Sequence, residues 1–319
     1  MSSAQGGSTQ ELVLGSRGSD LALAQLRMVE AALRSAHPEL ELDNKIIRTS
    51  GDEKSSKQIE VTDPRAGRKG MFTAEIERAL ARSEIDVAVH SAKDLPSEPA
   101  DGLEIGAVLP RARFHDVLIT REQTYFSSLP PGGTIATGSV RRRRQLLWKR
   151  PDLAVVDLRG NVPTRLQKFA ASSWSGIVLA RAGLERLGID LTRGHFDFNG
   201  AYFCALELPT DVFLPAGGQG VIALQIRSGD ARAKELTASI NDAATFACVR
   251  AEREFLRLLQ GDCNSPVGVL AMLDGGVMRI RAQVFDDEQS VPREAELEVR
   301  SEESHERIAL MLMEELNGQ

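Results

Sequence analysis

Leu12-Val13-Leu14-Gly15-Ser16-Arg17-Gly18-Ser19 and Thr134-Ile135-Ala136-Thr137-Gly138-Ser139 are the stretches on which the fold turns. Each is a short apolar strand that runs through Gly-Ser into a helix. Ser19 or Asp20 caps the first helix, which ends before Pro38, and the second helix runs over 140–149. Outward from the first junction, strands are predicted at 45–49 and 85–89, with a helix at 73–83. Outward from the second lie strands at 117–120, 153–158 and 177–180. Strands alternating with helices indicate α/β structure, and the repetition predicts two βαβ lobes facing a cleft. Ligands of open α/β sheets sit beyond the carboxyl ends of the strands. There each helix start offers free N–H groups to an anion.

Between the lobes and the chain end, Leu214-Pro215-Ala216-Gly217-Gly218-Gln219-Gly220 is the clearest hinge candidate, because glycine tolerates backbone angles that other residues avoid. A strand at 221–226 follows. A third unit then starts near Asn241, with a helix to about Leu259, a loop holding Cys263, three strands and a last amphipathic helix. The polar, basic segment 52–70 reads as a mobile loop.

Charge sharpens the expectation. The 319-residue chain carries a net −6, yet 137–165 contains eight basic side chains opposed only by Asp152 and Asp157. Four of them, Arg141, Arg142, Arg143 and Arg144, are consecutive and cannot share one helix face. Arginine outnumbers lysine here, which favours planar anions held by paired hydrogen bonds. Arg143, Arg144 and Arg150, which share a helix with Arg141 and Arg142, are the ones most easily read as solvated or paired outside a ligand site. A solvent-facing helix with ion pairs to Asp152 and Asp157 is the alternative. The three cysteines form no CxxC pair, and the five histidines lack metal-ligand spacing, so neither a disulfide framework nor a metal site is expected. The start of the sequence lacks a secretory pattern and no apolar run could span a bilayer, which points to a cytoplasmic protein.

Two residues stand out for chemistry. Asp94 follows Lys93 at a strand end and precedes Leu95-Pro96, so its carboxylate should point into the cleft; capping the next turn is the alternative role. Cys263 sits in a loop between Gly261 and Pro266, whereas Cys204 and Cys248 lie in apolar runs and read as inert.

Taken in order and spacing, these motifs resemble the porphobilinogen deaminase (hydroxymethylbilane synthase) family. The resemblance runs through Gly15-Ser16-Arg17-Gly18-Ser19, Thr49-Ser50-Gly51-Asp52, Lys69-Gly70-Met71-Phe72 and His90-Ser91-Ala92-Lys93-Asp94-Leu95-Pro96. It continues through Thr137-Gly138-Ser139-Val140-Arg141-Arg142, Leu158-Arg159-Gly160-Asn161-Val162, the 182–188 run, the glycine hinge and the Cys263 loop. It implies two lobes like type II periplasmic binding proteins around a cleft, and a small C-terminal α+β domain. The implied boundaries are 11–112 with 218–239, then 113–217, then 240–319. The implied activity joins four porphobilinogen molecules head to tail, with ammonia release, on a covalent dipyrromethane primer, then hydrolyses off hydroxymethylbilane.

By family position the primer hangs from Cys263 through a thioether. Lys93, Thr137, Ser139, Arg141, Arg142, Arg159 and Arg165 hold the cofactor, and Arg17, Ser19, Lys69, Phe72 and Arg186 hold substrate. Asp94 is the catalytic aspartate, placed to stabilise positive charge developing on pyrrole nitrogens. The family also implies a monomer that passes its product to uroporphyrinogen-III synthase. Departures from the family pattern include Gly138 for a common serine, Arg113-Phe114-His115-Asp116 for a common Asp-Pro-Arg-Asp, and Asp262 and Ser265 beside Cys263. Non-catalytic anion binding and nucleic-acid binding are the competing classes; the latter would require affinity that falls steeply with salt.

Overall fold

A computed structural model describes residues 11–49, 73–260, 266–286 and 291–318. Lys69, Phe72, Asp262, Cys263, Ser265 and the 52–70 loop lie outside the described residues. The chain forms two mixed sheets and a three-stranded antiparallel sheet.

The first sheet is built from β1 (Glu11–Ser16), β2 (Glu41–Ile46), β3 (Val87–Ser91), β4 (Leu103–Val108) and β11 (Ile222–Arg227), in the order β2-β1-β3-β11-β4. β1 pairs in parallel with β2 and β3, while β11 runs antiparallel to both its neighbours. Helix α1 (Asp20–Ala36) follows β1. The Ser19 hydroxyl caps it by accepting from the Ala22 N–H at 3.4 Å. Its buried stripe of Leu26, Val29 and Leu33 packs with Leu12, Leu14, Val87, Val89 and Leu224. The other face of the sheet is covered by α2 (Ala74–Ala81), through Ile76 and Leu80 against Ile85 and Ala88.

The second sheet comprises β5 (Asp116–Thr120), β6 (Thr134–Ala136), β7 (Ala154–Val156), β8 (Gly176–Ala180), β9 (His195–Phe198) and β10 (Ala201–Glu207), ordered β7-β6-β8-β5-β10-β9. Its helices are α3 (Val140–Lys149), α4 (Val162–Ala170) and α5 (Arg181–Arg186). Ser139 and Asn161 cap α3 and α4 through their side-chain oxygens. Without β9, its strand order repeats that of the first sheet: three parallel strands, then an antiparallel one, then a strand parallel to the first three. The antiparallel strand is contributed each time by a crossover, β4 to β5 on the way out and β10 to β11 on the way back. This is the expected pair of α/β lobes.

The third unit has β12 (Val267–Asp274), β13 (Val277–Val284) and β14 (Arg293–Arg300) in sequence order, covered by α7 (Ala243–Leu258) and α8 (His305–Asn317). Helix α6 (Ala231–Ala238) belongs to the first lobe, through Ala233 and Leu236.

Some boundaries differ from expectation. β2 starts four residues before the predicted 45–49 strand, because it is an edge strand in which Glu41, Asp43, Asn44 and Lys45 are exposed and Leu42 alone packs towards the core. The β9–β10 hairpin was not predicted. Its turn is Asn199-Gly200, with φ of 50° and 80°, a pairing well suited to a two-residue hairpin.

The expected glycine hinge is a packed junction. Gly218 has φ +75°, and a Cβ there would sit 3.0 Å from the Ala92 and Lys93 backbone. Gly220 has φ +85°, and its Cβ would lie 2.6 Å from the Ala112 carbonyl. Here glycine permits backbone to meet backbone. A carboxylate from the third unit locks the contact. Glu252 on α7 is fully buried and accepts from Gly218 N at 2.7 Å, Ala271 N at 2.8 Å and Arg111 Nη2 at 2.8 Å.

Candidate active site

The buried strand β3 ends at His90 and Ser91 and passes into a tight turn, Ala92–Asp94, that lifts Lys93 and Asp94 off the sheet edge. Asp94 is exposed and lines a cleft with Arg17, Ser19, Gln25, His90 and Ser91. Gln25 donates to Ser91 Oγ at 2.7 Å, which ties α1 to the strand end. His90 is buried, and burial pushes its pKa down to about 4, so its ring is neutral at ordinary pH. Its Nε2 has no hydrogen-bond partner among the described residues.

Arg253 on α7 supports this turn from below. Its guanidinium donates to the carbonyls of Pro96 at 2.5 Å, Ser97 at 3.4 Å and Leu95 at 3.5 Å. The unit that carries Cys263 in sequence thus grips the segment just after Asp94.

The second lobe supplies the cations. Arg141 and Arg142 on the first turn of α3 are both buried and share one carboxylate, Asp116, at 2.9 and 2.7 Å. Burial alone would raise the Asp116 carboxyl, but the two guanidiniums outweigh it and hold the group well below the usual carboxylate range. Arg141 Nη1 also reaches Gln145 Oε1 and the Leu214 carbonyl, and Arg142 Nη1 reaches the Val178 carbonyl. Neither arginine is an open side chain: both turn Nη groups to Asp116, because an aspartate opening an otherwise apolar strand needs partners, and the Nε of each has no hydrogen-bond partner among the described residues.

Arg165 is half-buried and donates to the Gly160 carbonyl at 2.7 Å. Burial and the nearby Arg142 lower its pKa to about 10, against the pull of Asp94 and Asp157. Burial does the same to Arg186, whose Nη2 binds the Gly220 carbonyl at 2.7 Å. Lys93, from the opposite lobe, is pushed down to about 8 by burial and by Arg142 and Arg141, although Asp94 and Asp116 oppose this. Mutual influence among Lys93, Asp94, Asp116, Arg142 and Arg165 brings residues of both lobes into one electrostatic site. Among the described residues, Lys93, Arg165 and Arg186 have no carboxylate within ion-pair distance, so burial disfavours their charge without a fixed counter-ion.

The remaining expected residues fall as follows. Thr137 is buried, and its hydroxyl accepts from Ser139 N at 3.3 Å, setting the start of α3. Arg159 is exposed and paired with Asp157 at 2.6 Å. Arg143 and Arg150 are held by groups of their own lobe: Arg143 by the Val155 carbonyl, Arg150 by Asp152 and the Leu129 carbonyl. Gly138 has a local reason, since a Cβ there would lie 2.6 Å from the Leu158 carbonyl.

Sequence reasoning did not single out His90, Asp116, Gln219, Glu252 or Arg253 as site residues. A polar residue at the end of an apolar strand was the available signal for His90 and Asp116.

The family model described as "Porphobilinogen deaminase, dipyromethane cofactor binding domain" matches residues 12–235, and that described as "Porphobilinogen deaminase, C-terminal domain" matches 246–318. The porphobilinogen deaminase of Rubrobacter xylanophilus is 41% identical over 304 residues, covering 95% of this chain and 94% of that protein. That of Moorella thermoacetica is 43% identical over 274 residues, covering 86% and 83%. Among solved structures, the Bordetella pertussis BvgS VFT2 domain is similar with a TM-score of 0.41 at 16% identity, covering 72% of this chain and 85% of that chain. The BenM effector-binding domain with benzoate is similar with a TM-score of 0.41 at 12% identity, covering 72% and 90%. With both family models matched in order and relatives aligned over nearly the full length, the chain belongs to the porphobilinogen deaminase family.

Proposed function

We propose that Asp94 is the catalytic carboxylate of a porphobilinogen deaminase and that Lys93, Arg142, Arg165 and Arg186 hold the carboxylates of its pyrrole ligands. The enzyme is a transferase that forms hydroxymethylbilane from porphobilinogen in tetrapyrrole biosynthesis, and it uses a dipyrromethane cofactor. The observation that carries the residue assignment is the meeting of exposed Asp94 with the half-buried cations Lys93, Arg165 and Arg186, which lack fixed carboxylate partners, beside Arg142, whose Nε has no hydrogen-bond partner among the described residues. Each pyrrole brings an acetate and a propionate, which restore the neutralisation that burial demands.

Bound dipyrromethane supplies the nucleophilic pyrrole carbon. The chain's own residues do the rest. Asp94 accepts hydrogen bonds from pyrrole N–H groups, stabilises positive charge on those nitrogens and moves a proton at its carboxylate. Arg17, Ser19 and neutral His90 position the incoming ring beside it. Thr137 and Ser139 order the start of α3. Arg159 exchanges Asp157 for a ligand carboxylate, and Arg141 supports Arg142 through Asp116. By family position Lys69 and Phe72 complete the substrate side, and Cys263 carries the thioether.

We also propose domain limits of 11–112 with 218–239, 113–217 and 240–319. The membership of β11 in the first sheet and of β12–β14 in the third supports them. A monomer in the cytoplasm, passing its product to uroporphyrinogen-III synthase without nucleic acid or metal, completes the reading. No described helix is long and apolar enough to cross a membrane.

Steady-state turnover of Asp94→Ala tests the assignment. The exposed side chain makes the variant fold normally, so loss of turnover is expected; retained turnover removes Asp94 from the mechanism.

A further inference from the structure

We propose that Asp116 is a positioning residue: it holds Arg142 of the second lobe and, through Gln219, Lys93 of the first lobe as one clamp for the carboxylates of a single ligand. This rests on the reading of Lys93 and Arg142 as carboxylate holders.

The geometry is a continuous chain across the cleft floor. Lys93 Nζ donates to Gln219 Oε1 at 3.4 Å. Gln219 Nε2 donates to Asp116 Oδ1 at 2.8 Å and to the Phe114 carbonyl at 2.7 Å. The same Oδ1 accepts from Arg142 Nη2 at 2.7 Å, and Oδ2 accepts from Arg141 Nη1 at 2.9 Å. Asp116 is fully buried, and Gln219 is 1% exposed. Asp116 opens β5 at the outward crossover, and Gln219 precedes β11 on the return crossover. The carboxylate therefore sits where both interlobe connections pass, and no other described acid bonds either arginine.

Arg142 is further fixed by the Val178 carbonyl, and Arg141 by Gln145, which continues to Gln283 of the third unit at 2.7 Å. One negative charge thus sets the orientation of two guanidiniums and an amide. Without it Lys93, Arg141 and Arg142 repel one another across a buried space. The charged groups that act on Lys93 are Asp94, Arg142, Asp116 and Arg141.

The test reads Lys93 directly, without turnover. Acetic anhydride labelling of Lys93 is followed against pH by mass spectrometry in the full chain carrying Cys263→Ser, which forms no thioether, with and without Asp116→Asn. The midpoint with Asp116 intact is expected near 8. Loss of the carboxylate should lower it by about one pH unit, and in protein that keeps Cys263 the KM for porphobilinogen at pH 7 should rise several-fold. A folded Asp116→Asn protein with an unmoved midpoint overturns the proposal, since a purely structural role would lower Tm only. If Asp116→Asn does not fold, Gln219→Met decides. It cuts the link but keeps both arginine pairs; a lowered midpoint supports the clamp and an unchanged one refutes it. Failure of the functional reading is distinguishable, because it appears as wild-type protein that does not consume porphobilinogen, whatever the labelling shows.

Discussion

Lys93→Met should make the ligand-free protein more stable while weakening its hold on substrate. Lys93 is half-buried, and its pKa falls from 10.5 to about 8, chiefly through burial. At about 1.4 kcal/mol per unit, that depression disfavours the folded, protonated state by roughly 3 kcal/mol at neutral pH. Methionine keeps the aliphatic bulk and removes the charge. It gives up the 3.4 Å bond to Gln219, worth about 1 kcal/mol. The net expectation is a gain of about 2 kcal/mol.

Urea unfolding of both proteins, in a Cys263→Ser background that forms no thioether, measures the gain. The pH dependence supplies an internal control. Between about pH 8 and 10.5, the unfolded wild-type chain still holds a proton that the folded chain has released, so wild-type stability climbs with pH. The variant lacks that climb, and the gap closes towards pH 10.5. A variant less stable than wild type at pH 7, or a gap that does not change with pH, refutes the claim that Lys93 is a cation buried in waiting for an anion.

Other perturbations test the frame around the site. Glu252→Gln leaves the buried Arg111 without its counter-ion, and a loss of about 3–5 kcal/mol in denaturant unfolding is expected; unchanged stability contradicts the junction described. Gly220→Ala meets both a positive φ and the Ala112 carbonyl, so Tm should fall by several degrees, and a neutral result would mean the backbones do not approach as described. Arg253→Met removes the donors that bind the Leu95, Pro96 and Ser97 carbonyls; kcat should fall at least tenfold, with less effect on KM, and equal kcat would sever Arg253 from Asp94.

The lobes were legible because β1, β3, β6 and β8 are apolar strands, and because Ser19, Ser139 and Asn161 cap the helices after β1, β6 and β7 as local sequence chemistry dictates. Edge strands were harder. β2 carries Asp43, Asn44 and Lys45 on a solvated edge, and pairing alone defines it. Lys93 and Asp94 could be placed in the cleft because their strand ends there. The roles of Arg141 and Arg142 could not be read, because their partner Asp116 is 25 residues from Arg141 in sequence and meets it only when β5 and α3 pack together in the second lobe. Glu252 and Arg253 were hidden for the same reason. They sit on an amphipathic helix whose charged residues look solvated until the lobes dock against it. Local pattern thus located the chemistry, and long-range pairing decided which charges serve the ligand and which serve the fold.

The central claim is that this chain builds tetrapyrrole on a primer attached to Cys263. Intact-mass measurement of the purified protein tests it most directly. The account predicts a mass above that of the sequence by one dipyrromethane, localised to the Cys263 peptide, absent from Cys263→Ser and growing in pyrrole-sized steps when porphobilinogen is added. An active protein with an unmodified Cys263 thiol would contradict it.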